Sequence, residues 1–158
     1  MIYQLYLHQI NRMNISPPSE TIFHVIESTI KEYRKFAQKN ISEKIKDITI
    51  DQGLVLIFLK EYPKLTQNEI AELVFKDSAS MTRMINLMVK KKYLKRSIHK
   101  EDRRRYKIEI TANGEKVLEG LPPIIQNNRN SALKGITKKE LKQLDITLNK
   151  IRINCSNK

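Results

Sequence analysis

From Lys90 to Lys107 the chain reads KKKYLKRSIHKEDRRRYK, ten Lys or Arg in eighteen residues and a third of the thirty in the whole sequence. Cations at that density neutralise rows of negative charge and release the counterions held there, which is the main source of affinity for a polyanion. Asp102-Arg103-Arg104-Arg105 falls where a turn between two extended stretches is expected. An Arg at the tip of such a turn can enter a narrow minor groove, where negative potential is strongest, and Arg104 is the expected inserted residue. Asp102 lies two residues away along an extended chain, hence on the same side. It is read as orienting an Arg, because a carboxylate set against phosphate repels. Lys95, Arg96, Lys100, Arg103, Arg105 and Lys107 are expected to add affinity without sequence information.

A second set of residues stands just upstream. Ser78, Ala79, Ser80, Thr82 and Arg83 combine short side chains, which let a backbone approach base edges, with one long bidentate donor that reads guanine or clamps phosphate. Asn86 and Lys90 fall on the same helical face by the 3.6-residue period. In isolation this is an ordinary solvated helix face. The charged hairpin that follows is what favours a binding surface.

Other chemistries find little support in the residues. Cys155 is the one cysteine, so neither an intrachain disulfide nor a cysteine metal site can form, and a reducing cytoplasm is the expected compartment. His8, His24 and His99 have no carboxylate or cysteine at ligand spacing, no metal or cofactor is expected, and no nucleophile sits beside a base, so the chain does not read as an enzyme. A formal charge of +13 over 158 residues repels itself unless a polyanion relieves it. A membrane surface would need a basic amphipathic helix with large aromatics, and the chain lacks Trp. The apolar run Leu54 to Leu59 is too short to span a bilayer, and MIYQLYLHQINRM lacks the basic start and cleavage site of a signal peptide.

These residues must be positioned by a single, mainly α-helical domain over 1–158, with 40% hydrophobic content and nine Gly plus Pro in all. Residues 1–16 form an arm. Ser16-Pro17-Pro18-Ser19 is a helix start, and Phe23, Ile26, Ile30, Tyr33 and Ala37 make one apolar face reaching about residue 39. Asp51 is the expected cap of a second helix, whose Leu54, Val55, Ile57, Phe58 and Leu59 place it centrally, ending before Pro63. Thr66-Gln67-Asn68-Glu69 is a capping box for a short helix to about Val74. Asp77-Ser78 caps the next, with Met81, Met84, Ile85, Met88 and Val89 on its inner side. Tyr93–Ser97 and Tyr106–Ile110 read as the strands of a hairpin. Thr111 caps a helix carrying Val117, Leu118, Leu121 and Ile125, which Pro122-Pro123 should kink. Thr137 to Glu140 is a second capping box, opening a helix with Leu141, Leu144, Leu148 and Ile151 at the spacing of a helix-helix seam.

Helix, short helix, helix and hairpin make a winged helix-turn-helix. LTQNEIAELV (65–74), DSASMTRMINLMVKKKYLKR (77–96) and KEDRRRYKIEITANGEKVL (100–118) resemble the MarR family of bacterial transcriptional regulators in order and spacing. The resemblance implies a recognition helix from about Ser78 to Lys91, a wing signature at Asp102-Arg103-Arg104, a lobe at 50–110 and dimerisation helices at 17–45 and 111–154, with Ile26, Ile30, Leu141, Leu144, Leu148 and Ile151 in the dimer contact. It implies a homodimer on double-stranded DNA with a near-palindromic operator, repression as the usual sign, and a small-molecule effector whose pocket these residues do not assign. The competing reading is a winged helix that binds RNA or a protein. Lys92 departs from the family, which usually has Gly at the end of the recognition helix. A Lys held at positive φ costs about 1–2 kcal/mol, so either the helix ends differently or the strain is tolerated.

Overall fold

The computed structural model describes residues 16–98 and 106–156. Residues 1–15 of the expected arm, His99 and the expected wing-tip residues Lys100, Asp102, Arg103, Arg104 and Arg105 lie outside them. Within the described residues the order is α1 (Ile22–Lys44), α2 (Ile50–Glu61), α3 (Gln67–Leu73), α4 (Ser78–Lys90), β1 (Leu94–Ile98), β2 (Tyr106–Ile110), α5 (Ala112–Ala132) and α6 (Lys138–Ser156).

The prolines at 17 and 18 produce a short 3-10 turn, Pro18–Glu20, and α1 starts only after it. Its cap is Thr21, whose hydroxyl accepts from the His24 amide at 3.3 Å. The helix runs past the expected end near residue 39 because Ile41 prolongs the buried face begun by Ala37 one turn earlier. The expected cap of α2 is corrected as well. Thr49, not Asp51, caps it, with the Thr49 hydroxyl on the Gln52 amide and the Gln52 side chain returning to the Thr49 N–H, each at 3.2 Å. Asp51 is thereby left in the first turn with its carboxylate free to bind cations.

Helix α2 is the centre of the domain. Val55, Leu56 and Leu59 are buried, and Leu54, Ile57 and Phe58 are half-buried. Around it close Ile70 and Ala71 of α3, Met81, Ile85 and Met88 of α4, and Leu94 and Ile108 of the hairpin. The periodicity of α4 is as read from the sequence, with Met84 and Val89 flanking the buried stripe. The boxes at Thr66/Glu69 and Thr137/Glu140 both form.

β1 and β2 pair antiparallel with Leu94 opposite Ile110 and Arg96 opposite Ile108. Period-two alternation therefore puts Leu94, Arg96, Ile108 and Ile110 on the inner face, and Lys95, Lys107 and Glu109 outside. The first strand starts one residue later than expected because the Tyr93 N–H is used to close α4. It donates to the Met88 carbonyl while Lys92 N–H donates to Val89, both at 2.9 Å, which is the paired closure of a Schellman motif. Lys92 has φ 60°, so the helix ends as the family's glycine would end it, and the lysine bears the strain. At the base of the hairpin the Thr111 hydroxyl donates to the Lys92 carbonyl and accepts from the Gly114 amide, tying the exit of α4 to the start of α5. A Cβ at Gly114 would sit 2.3 Å from the Tyr93 carbonyl oxygen, so only glycine permits this approach.

Helix α5 is continuous through Pro122 and Pro123. It packs on α2 and α1, and α1 is joined to it by a hydrogen bond of 2.6 Å from the Asn40 amide to the buried Asn128. Helix α6 contains no buried residue, and among the described residues no other element makes an extensive contact with it. Among the described residues no helix is long and apolar enough to cross a membrane.

Candidate nucleic-acid interface

The outward stripe of α4 follows from its inward one. Burying Met81, Ile85 and Met88 turns Ala79, Arg83, Asn86 and Lys90 to solvent, with Ser80 and Thr82 half-buried at the margins and Ser78 exposed at the start. Asp77 caps the helix: its carboxylate accepts from the Ser80 amide at 2.8 Å and the Ser80 hydroxyl at 2.7 Å. The hydroxyl bond first, then the amide bond, holds the Asp77 carboxyl below the ordinary carboxylate range. The same Ser80 oxygen accepts from Arg83 Nη2 at 3.0 Å, so cap, serine and arginine form one chain at the end of the helix that would enter a groove.

Thr82 is committed more deeply than its sequence position suggests. Its hydroxyl donates to the Ser78 carbonyl at 2.9 Å and accepts from Gln67 Nε2 at 2.7 Å. Gln67 belongs to α3, and sequence reasoning passed over it. The signal was present, since Gln67 precedes the buried Ile70 and Ala71 by three and four residues and so faces α4 with them.

Arg96 was expected to add affinity without sequence information. It lies on the inner face of β1, half-buried, and its guanidinium reaches toward Asn86 Oδ1 at 3.4 Å and Gln67 Oε1 at 3.5 Å. β1, α4 and α3 are thus linked through one cation. Lys95 stays outside, opposite Glu109 in the register and 3.5 Å from its carboxylate, while Lys107 approaches the same group at 3.0 Å. The hydrogen bond from Lys107 is the main reason the Glu109 carboxyl sits below its usual range.

Behind the interface a carboxylate joins three elements. Asp51 of α2 pairs with Arg34 of α1 and, at 3.0 Å, with Lys76 in the turn before α4. Burial alone would raise the Asp51 carboxyl, but the hydrogen bonds from Arg34 and Lys76 outweigh it and hold it below the ordinary range. Neither Arg34 nor Lys76 was singled out from the sequence, because the pairing depends on packing between distant segments. Among the described residues no group of His, Cys, Asp and Glu is arranged to hold a metal.

An outward polar helix seated on a buried one, followed by a two-stranded hairpin that continues the same surface, is the architecture of a winged helix-turn-helix protein. Residues 46–105 match the model of the MarR family. It is 29% identical over 114 residues to the HTH-type transcriptional regulator SarZ of Staphylococcus epidermidis, an alignment covering 68% of this chain and 76% of that protein. Among solved structures it is similar to Bordetella bronchiseptica BpsR, whose DNA binding is regulated by 6-hydroxynicotinic acid: TM-score 0.77, 20% identity, 86% of this chain and 96% of that one. It is also similar to S. aureus MepR in a DNA complex, with TM-score 0.75, 22% identity, 88% of this chain and 99% of that one. At these identities the structural likenesses speak for the fold.

Proposed function

We propose that the protein is a sequence-specific double-stranded DNA-binding regulator of transcription that acts as a homodimer. The observation that carries this reading is the α4 stripe, Ala79, Arg83, Asn86 and Lys90, outward and solvent-facing beside a hairpin that leads into the densest run of positive charge in the chain. In this reading the start of α4 enters a major groove, Arg83 and Asn86 meet base edges, and Ser78, Ser80 and Lys90 meet the flanking backbone. The wing, with Arg104 at its tip and Asp102 orienting it, reaches the adjacent minor groove. Arg96 acts from behind, holding Asn86 and Gln67 in place.

The dimer reading rests on apolar surface that the protomer leaves uncovered. On α1, Phe23 and Ile30 are more than half exposed and Ile26 is half-buried. On α6, Leu144 and Leu148 are 52% and 38% exposed, with Leu141 and Ile151 half-buried beside them. Contiguous exposed apolar faces of this kind on a soluble fold mark interfaces, and a two-fold partner would cover both by the same contacts. The operator is then a near-palindrome with half-sites about one helical turn apart, roughly 34–36 Å. Response to an effector is the finer part of the reading: a concavity of about 640 Å³ opens between α1 and the end of α5, lined by Tyr33, Phe36, Glu32 and Ser131. Occupancy there would alter how α1 and α5 set the spacing of the two lobes. Repression by occlusion is the expected sign.

The test is fluorescence anisotropy with duplexes from the DNA upstream of the protein's own reading frame and with shuffled duplexes, at two salt concentrations. A protected near-palindrome and tighter binding to one duplex, with both affinities falling as salt rises, are expected. Equal affinity for all duplexes, or preference for RNA, would sink the proposal.

A further inference from the structure

Among the described residues, Asp47, Phe75 and Lys92 are the non-glycine residues with positive φ, at 62°, 55° and 60°. Two of them have polar side chains at the surface, and their backbones serve the fold: the Asp47 carbonyl accepts from Lys91 Nζ, and the Lys92 carbonyl from Thr111. Phe75 is different. It closes α3 with its N–H on the Glu72 carbonyl at 3.1 Å while Lys76 N–H reaches Ala71 at 2.8 Å, a helix end that Gly or Asn fills at least cost. A bulky aromatic in this conformation is an outlier, and here the ring gains nothing by it within the protomer, being 92% exposed.

The position of the ring points to what it meets. Phe75 lies two residues before Asp77, the cap of α4, hence within about 7 Å of the end of that helix along the chain. The turn that bears it is anchored, because the next residue, Lys76, is pinned to Asp51 at 3.0 Å. A ring on a fixed base next to the cap of a helix that enters a major groove is within reach of the sugar carbons and the 5-methyl groups of thymine, the apolar features of that groove, and Phe is among the side chains that contact this methyl.

Building on the DNA-binding reading above, we propose that Phe75 is a specificity-determining residue that packs on a thymine 5-methyl group at the edge of each half-site. The rigid turn presents the ring, so the contact forms without further ordering. Because the contact is apolar it releases no counterion. It therefore contributes to affinity and base choice but not to the salt dependence.

The experiment uses the full chain and its own operator duplex, with single thymines replaced in turn by deoxyuridine, which lacks the methyl group. Wild-type protein should lose about fivefold in affinity at one thymine per half-site. Phe75→Asn suits positive φ and should fold at least as stably; it should bind the parent duplex about fivefold more weakly, be indifferent to deoxyuridine at that position, and keep the salt slope. Undiminished affinity of Phe75→Asn, or unchanged discrimination between thymine and deoxyuridine, overturns the inference while leaving DNA binding intact. A fall in the mass of the assembly by light scattering would give the ring to a protein contact and overturn it too. A wild-type protein that binds no duplex removes the DNA-binding reading and this inference with it.

Discussion

Asp51→Asn tests how the helix-turn-helix is held to the rest of the domain. The side chain keeps its shape and one acceptor oxygen but loses the charge that Arg34 and Lys76 share. A hydrogen bond to a charged group contributes about 1.5–3 kcal/mol when well shielded, and an exposed ion pair about 0–1. Asp51 is shielded, with 16% of its side chain exposed, while Arg34 and Lys76 are at 41% and 33%, so solvent screening takes most of the larger figure. The expected loss is about 1–2 kcal/mol in all, or about 3–6 °C in melting temperature for a chain of this size. The pH dependence follows from the direction of the shift. The folded carboxyl is depressed below its unfolded value, near 3.9, so its contribution is complete above that pH and disappears as pH falls through the folded value. Thermal melts of wild type and variant should differ by a constant amount from pH 5 to 8 and converge below about pH 4. Equal stability at pH 7 would refute the bridge, and an undiminished gap in acid would refute its electrostatic origin. Because Lys76 precedes the cap of α4, the same variant should bind operator more weakly even where it is fully folded.

Three further outcomes bear on the site and the assembly. Arg83→Ala should cost about 1–3 kcal/mol of discrimination between operator and mismatched duplex, and an equal loss on every sequence would make Arg83 a phosphate contact. Lys92→Gly removes strain of about 1–2 kcal/mol but adds unfolded-state freedom costing about 0.4–1, so chemical denaturation should find it as stable as wild type or up to about 1.6 kcal/mol more so. A clear loss of stability would mean that the Lys92 side chain, not its backbone, matters at the wing's entrance. Leu148→Asp should give a monomer by light scattering, and a variant that remains dimeric would move the interface off α6.

What was legible in the sequence was local, and what was missed depended on distant partners. The capping boxes at Thr66 and Thr137 were readable because both halves of each lie within four residues, and the inner stripe of α4 because burial repeats with the helix. The cap of α2 shows the limit. Thr49 and Gln52 satisfy the same local rule that Asp51 satisfies in part, and the choice between them is made by Arg34 and Lys76, 17 residues before and 25 after Asp51. A carboxylate with two cations waiting is not spare for a helix cap.

Arg96 shows a different kind of failure, in which a strong signal hid a weaker and more exact one. Counting charge from Lys90 to Lys107 set Arg96 among the cations expected to add affinity without sequence information. Strand alternation in the same letters puts Arg96 on the face of Leu94, which the register with Ile108 bears out. Once there, its guanidinium reaches toward Asn86 and Gln67, a placement that charge alone does not mark. Phe75 was invisible for the opposite reason: with no charge, period or motif to mark it, its interest arises only when a positive φ and an exposed ring coincide at one position.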